Sequence, residues 1–207
     1  MWCESEGQGT FRSEVIAISG SLDIVMETTK QILIGIEITL NRNEGSGNAP
    51  FATIVALRAA CWRERIPNRT LLDDGHDEHA FHWWVEVSGN IVAAARLCVH
   101  SDLTSVPSSH LYSQIRPETL QGEIGCINRL VVDTTWRRKG LAGWLDSARE
   151  DSARNLGCRS MVAAWNAASG EARRAALLNL GFVSLSDNSP VPDGEFGFSF
   201  PFGKTLA

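Results

Sequence analysis

Residues 123–165 constrain the fold more than any other part of this sequence. "EIGCINRLVV" is rich in apolar and β-branched residues and reads as a strand over Glu123–Val132. "LAGWLDSAREDSARNL" reads as a helix over 141–156, with Leu141, Trp144, Leu145 and Ala148 on one face and Arg149, Glu150 and Arg154 elsewhere. Gly157 is a natural helix stop, and "SMVAAW" (160–165) is a short apolar strand. A strand, a helix and a strand joined by such short connections predict a crossover unit with its two strands parallel. Parallel strands need cover on both faces, so the chain must build helices around a sheet.

The remaining segments fit that frame. "ILIGIEITL" (32–40) predicts a strand, and "NRNEGSGNAP" a loop. Phe51–Arg65 predicts a helix between Pro50 and Pro67, carrying Phe51, Ile54, Val55 and Cys61 as its apolar stripe. Residues 66–80 form a polar loop. "FHWWVEV" and "IVAAARLCV" flank Ser88-Gly89-Asn90 as a hairpin. Residues 101–121 have loop character around Pro107 and Pro117, Glu171–Leu180 is a helix ended by Gly181, and "EFGFSFPFG" supplies a last strand. The predicted order is β-α-β-β-β-α-β-α-β, a mixed sheet flanked by helices in an α/β fold. Residues 1–30 have no clear period and are set apart as an N-terminal extension. Residues 31–207 form one domain, since 207 residues support one sizeable core rather than two.

The turn inside the crossover unit carries the chemistry. In "RRKGLA" (137–142), three cations run into a glycine where the helix begins. A helix N-terminus has unpaired N–H groups and a partial positive charge, so cations there are unfavourable unless an anion joins them. Gly140 has no Cβ, which lets a phosphate approach the backbone. The spacing is neither G-x-x-x-x-G-K-[ST] nor G-x-G-x-x-G, which argues against ATP or NAD in their common binding modes.

Composition removes several classes. A net charge of −5 leaves no overall basic footprint for nucleic acid. No apolar run approaches the roughly 20 residues of a membrane span, and the start "MWCESEGQGTF" has no secretory pattern. Five cysteines without a C-x-x-C argue against a disulfide framework or a zinc site, and point to reduced thiols and a cytoplasmic protein.

"LVVDTTWRRKGLA" resembles the acetyl-CoA signature of the GNAT N-acetyltransferase superfamily, a strand followed by R/Q-x-x-G-x-G/A, with Arg137, Gly140 and Ala142 in the defined positions. "GEARRAALLNLGF" (170–182) resembles the family's "NEAARALYERLGF". "LRAACWRE", "DGHDEHAFH", "GNIVAAARL" and "CINRLVVD" resemble further family segments, so the likeness spans roughly residues 31–185. It implies a three-layer GNAT-like fold and acyl transfer, most simply acetyl, from acyl-CoA to a primary amine by direct attack on the thioester, with no metal. It also implies that Arg137, Arg138, Lys139, Gly140, Leu141 and Ala142 hold the CoA pyrophosphate. Leu130, Val131 and Val132 would hold the pantetheine arm and supply oxyanion donors. Gly170 stands where the family has Asn, and Leu177 where it has the Tyr that often acts as general acid; the chain's single tyrosine is Tyr112.

Glu123, at the start of the CoA-side strand, and His82, with a side chain that titrates near neutrality, are the candidate bases. Each also has a structural reading, as a solvated strand end and as a packed histidine. Cys126 fills a position that is acidic in relatives and reads as packing. Asp73, Asp74, His76, Asp77, His79 and His82 match no metal motif and read as a loop shaping the acceptor site. Of Trp83 and Trp84, one is expected in the core and the other at a pocket. The expected acceptor is a small amine or a protein N-terminus, with no nucleic acid or membrane partner, and a homodimer is possible in such a family. The competing reading is a non-catalytic acyl-CoA sensor.

Overall fold

The computed structural model describes residues 27–33, 36–44, 50–63, 74–116, 119–120 and 122–206. Nine strands and three α-helices run along these residues: β1 (Glu27–Leu33), β2 (Ile36–Glu44), α1 (Phe51–Arg63), β3 (Phe81–Val87), β4 (Asn90–His100), β5 (Ile124–Val132), α2 (Leu141–Asn155), β6 (Ser160–Asn166), α3 (Glu171–Asn179), β7 (Val183–Ser184), β8 (Val191–Pro192) and β9 (Phe198–Thr205). They form one mixed sheet in the order β1-β2-β3-β4-β5-β6-β9-β7, with β8 also on β9. The β5–β6 pair is parallel, as the crossover unit predicts, and the other pairs are antiparallel.

The β3–β4 hairpin closes through Ser88 and Gly89, both at positive φ (49° and 77°). This is the two-residue loop whose twist suits adjacent strands. Both strands are buried along most of their length because helices cover both faces. Alternation sends Trp84 and Ala94 to one face, where they meet Ile54 and Cys61 of α1 and Val131 of β5. Trp83, Val85, Ala95, Leu97 and Ile127 occupy the opposite face, against Leu141, Leu145 and Ala153 of α2. Full burial of a leucine such as Leu145 stabilises by about 2 kcal/mol.

Four details differ from the sequence-based expectation. The single strand at 32–40 is two: β1 and β2 form a hairpin, and β2 runs on through the polar Asn41–Glu44. Pairing carries it there, with Asn43 opposite His82 and Glu44 opposite Phe81, while the Arg42 guanidinium lies over the rings of Phe81 (4.7 Å) and Trp83 (5.5 Å). Glu27–Lys30, assigned to the extension, lie in β1; residues 1–26 fall outside the described residues. Both Trp83 and Trp84 are core residues, 2% and 3% exposed, one on each face. On α2 the buried stripe is Leu141, Leu145 and Arg149: the arginine expected on another face is fully buried.

Candidate functional site

β5 and β6 pair only over Ile124–Cys126 and Ser160–Val162. Beyond that point they part. β6 stays bonded to β9 along its whole length, and β5 stays bonded to β4. Residues 127–132 of β5 therefore border a wedge with no described strand bonded on that side. The unpaired edge of a strand is a template for an extended ligand arm carrying amides.

A bulge lies beside the wedge. Ala94 pairs with Val131 and Arg96 with Asn128, so Ala95 faces both Arg129 and Leu130. Arg129 adopts φ +54°, uncommon for a residue with a side chain. Its guanidinium is anchored on the α1 side, 2.8 Å from Asp74 Oδ2 and 4.8 Å from the Trp62 ring centre.

The open edge leads into the cationic turn. Asp133 Oδ1 accepts from the Thr135 amide (2.9 Å) and hydroxyl (2.6 Å), which starts a short 3-10 turn over Thr134–Trp136. Arg137 Nε donates back to the Val132 carbonyl (3.1 Å), and Lys139 Nζ sits 5.2 Å from the Trp136 ring centre. Arg138 (φ +61°) and Gly140 (φ +83°) then turn the chain into α2. The first bond of that helix is Trp144 N–H to Gly140 C=O (3.0 Å), so the amides of Leu141, Ala142 and Gly143 have no helical acceptor. Gly140 has no side-chain cap and nothing within 4 Å of where a Cβ would lie. Arg138, Lys139 and Gly140 are exposed and Arg137 is half-buried. This is an open, cationic, donor-rich concavity, suited to a pyrophosphate.

The structure does not bring the two candidate bases to this wedge. Glu123 is exposed at the closed end of the β5–β6 pair, where its carbonyl accepts from the Arg159 amide (2.9 Å). Nine strand residues, about 30 Å, separate it from the turn. His82 is 0% exposed. Its Nδ1 accepts from Arg58 (3.4 Å) and its Nε2–H donates to the Asp77 carbonyl (2.9 Å), because a guanidinium can only donate. Burial lowers the His82 pKa, so the ring is neutral, yet neither nitrogen is available to a substrate.

The Asp/His-rich loop is a lock. Asp77 accepts from Arg58 (3.0 Å) and Arg96 (3.0 Å), and Asp74 from both terminal nitrogens of Arg96 (2.7 and 2.6 Å), besides its pair with Arg129. Burial alone would raise both carboxyl pKa values, but the guanidiniums outweigh it and hold Asp74 and Asp77 below the usual carboxylate range. Of the carboxylates that invite a metal reading, Asp74 and Asp77 are thus occupied by three arginines of α1, β4 and β5, and Asp73 lies outside the described residues.

The other positions singled out by the sequence are packed. Leu177 is fully buried and fills with hydrocarbon the place of the family's tyrosine. Tyr112 is buried in a cluster with Cys98 and Cys126, and burial raises its hydroxyl pKa well above normal. Burial likewise pushes the Cys98 thiol up to about 11 and Cys126 higher, so neither is a thiolate nucleophile at neutral pH. Among the described residues Cys98, Cys126 and Cys158 are free thiols, and Cys61 Sγ donates to the Val132 carbonyl (3.6 Å). Among the described residues no helix is long and apolar enough to cross a membrane.

The model of the acetyltransferase (GNAT) family matches residues 51–182, well over half of the chain and including the bulge, wedge and turn. The chain belongs to the GNAT family. Solved structures share its fold. An acyl-CoA N-acyltransferase from Pseudomonas aeruginosa aligns with a TM-score of 0.60 at 16% identity, over 81% of this chain and 99% of that one. An N-acyl amino acid synthase from uncultured soil microbes aligns at 0.58 and 9% identity, over 80% and 90%. A chain of the NatC complex bound to Gag peptide and CoA aligns at 0.52 and 15% identity, over 81% and 99%. No curated protein sequence matches. This GNAT protein is an acyltransferase of the CoA-using type. The arginine lock and the buried Arg149 are the features that sequence reasoning missed.

Proposed function

We propose that this GNAT protein transfers an acyl group, most simply acetyl, from acyl-CoA to a primary amine by direct attack on the thioester. One observation carries the reading: the unpaired edge of β5 runs from a bulge at Arg129 straight into an open cationic helix start at Gly140. That line fits the extended shape of an acyl-CoA. The amides of Leu141, Ala142 and Gly143, with Arg137, Arg138 and Lys139, would hold the pyrophosphate. Leu130, Val131 and Val132 would bond the pantetheine arm, and the thioester would lie at the bulge.

What these residues contribute is placement and electrostatics. The arm, held as an added strand, fixes the thioester carbon beside the acceptor. Strand amides facing the wedge stabilise the oxyanion as the nitrogen attacks. The thiolate that leaves belongs to a thiol of pKa about 8.5, a fair leaving group without a tyrosine acid. We retain neither Glu123 nor His82 as base; the proton passes to water. A small amine or a protein N-terminus fits as acceptor, reached from the side of α1 and the 74–80 loop. The free thiols of Cys98, Cys126 and Cys158 support a reducing, cytoplasmic setting.

The test is release of CoA thiol from acetyl-CoA across a panel of amines, amino acids and peptides. At least one class is expected to turn over. Tight CoA binding without turnover on any class would favour the non-catalytic sensor.

A further inference from the structure

α2 buries an arginine where its apolar stripe should continue. Arg149 is 0% exposed, and its guanidinium is held by polar partners. Its Nε donates to the Leu145 carbonyl of its own helix (3.2 Å). One terminal nitrogen donates to two backbone carbonyls, Arg96 of β4 (3.0 Å) and Asn128 of β5 (3.1 Å). The other terminal nitrogen pairs with Asp146, which also pairs with Arg173 of α3. Burial lowers the Arg149 pKa to about 10, offset in part by Asp146, so the group is charged at neutral pH.

The two carbonyls are not an arbitrary pair. Arg96 and Asn128 are the last partners in register before the β4–β5 ladder shifts, and Arg129 at φ +54° follows directly. A bulge disrupts local ladder bonds, and a carbonyl released inside a core must find another donor. Arg149 supplies it from the α2 side. Among the described residues no peptide bond is cis. In the trans Asn128–Arg129 unit the N–H points opposite the carbonyl. Holding the Asn128 carbonyl towards α2 therefore turns the Arg129 N–H away from α2. The Arg129 side chain is tied independently on the α1 side by Asp74 and Trp62. The bulge is pinned from both faces of the sheet.

We infer that Arg149 is a positioning residue: from within α2 it fixes the Asn128–Arg129 peptide so that the Arg129 amide is presented to the thioester carbonyl of a bound acyl-CoA. Because α2 also begins at the cationic turn, the same helix sets both ends of the ligand, the pyrophosphate at Gly140 and the carbonyl at the bulge. Asp146 and Arg173 serve as the counterion arm that lets a charged strut remain buried. The inference rests on the acyl-CoA reading of the wedge.

The experiment follows the Arg129 amide by NMR in the full chain with acetyl-CoA and with free CoA, which lacks the acyl carbonyl, in wild type, Arg149→Met and Arg149→Lys. Amide hydrogen exchange of residues 127–131 is measured in the same proteins without ligand. Wild type should show an Arg129 amide shift with acetyl-CoA that free CoA does not give. Arg149→Met should lose that difference and exchange at least about tenfold faster at the bulge, while its affinity for free CoA stays within about threefold. Arg149→Lys, which keeps a donor, should recover part of both. An unchanged acyl-specific shift, or unchanged bulge exchange, in Arg149→Met overturns the inference. If Arg149→Met does not fold, Arg149→Lys showing wild-type values for both readouts supports the strut, and Lys behaving like a protein with an unpinned bulge contradicts it. If wild type binds neither compound, the acyl-CoA reading and the role given to the Arg129 amide both fail, whereas the exchange data alone still decide whether Arg149 holds the bulge.

Discussion

Two charged loops stand out in this chain, and the structure uses them in opposite ways. The loop around Asp74–His79 folds the carboxylates of Asp74 and Asp77 onto Arg58, Arg96 and Arg129, so these two charges are answered inside the protein. The turn at Arg137–Gly140 leaves Arg138 and Lys139 exposed beside three helix amides with no acceptor. The first is a lock, and the second is the receptor we propose. A run of charge that stays exposed, as at Arg138 and Lys139, is open to a ligand. Where the counterions lie elsewhere in the chain, the same run signals tertiary structure.

The comparison predicts different consequences for mutating each loop. Gly140→Asp puts a carboxylate where the pyrophosphate would sit. It should weaken CoA binding by about 100-fold or more, about 2.7 kcal/mol, with little change in stability, read by calorimetric titration and thermal unfolding. Gly140→Asn carries the same backbone strain at φ +83° without the charge and should lose far less. Equal losses in the two variants would assign the effect to backbone rather than electrostatics.

Asp77→Asn should do the reverse. It leaves Arg58 and Arg96 short of a buried counterion, and breaking such a pair costs about 3–5 kcal/mol. Urea unfolding should show a stability loss of that order, whereas any CoA affinity of the folded fraction should hold. A neutral effect on stability would mean the lock is ornamental.

Acid should weaken the lock in two stages. The folded-state pKa of His82 is lowered, so the unfolded chain binds more protons as pH falls below about 6.5. Stability from the neutral ring is full above that pH and declines below it. Asp74 and Asp77 are also depressed, so their contribution is full above about pH 4 and is lost as pH falls further through their folded values. His82→Gln should shrink the first stage, leaving the part carried by His100, which burial also depresses, and keep the second. A flat stability profile from pH 7 to 5 in wild type would contradict this account. The smallest effect belongs to Lys139→Ala: an exposed cation near a phosphate should change CoA affinity only a few-fold, and less at high salt.

What was legible in the sequence was local. The crossover unit, the hairpin at Ser88-Gly89 and the helix starting at Leu141 announce themselves through periodicity and turn residues adjacent in the chain. The acyl-CoA signature is legible for the same reason, since its backbone amides and glycine lie within a dozen residues. β2 was misplaced because Asn41–Glu44 is polar and becomes strand only by pairing with β3. Arg149 reads as lying off the apolar stripe because its acceptors lie 53 and 21 residues away, at Arg96 and Asn128. His82 looked like a base because its chemistry is visible in the sequence, while Arg58, 24 residues upstream, is what occupies it. Burial and long-range partners decide such residues, and neither is written in a local pattern.

The most direct measurement is an amide chemical-shift map of the protein titrated with CoA. The account predicts the largest changes at 139–143 and along 130–132, with the 74–80 loop nearly still. Changes centred on the 74–80 loop, or none anywhere at millimolar CoA, would contradict the claim that the turn at Gly140 is the receptor and the acidic loop the lock.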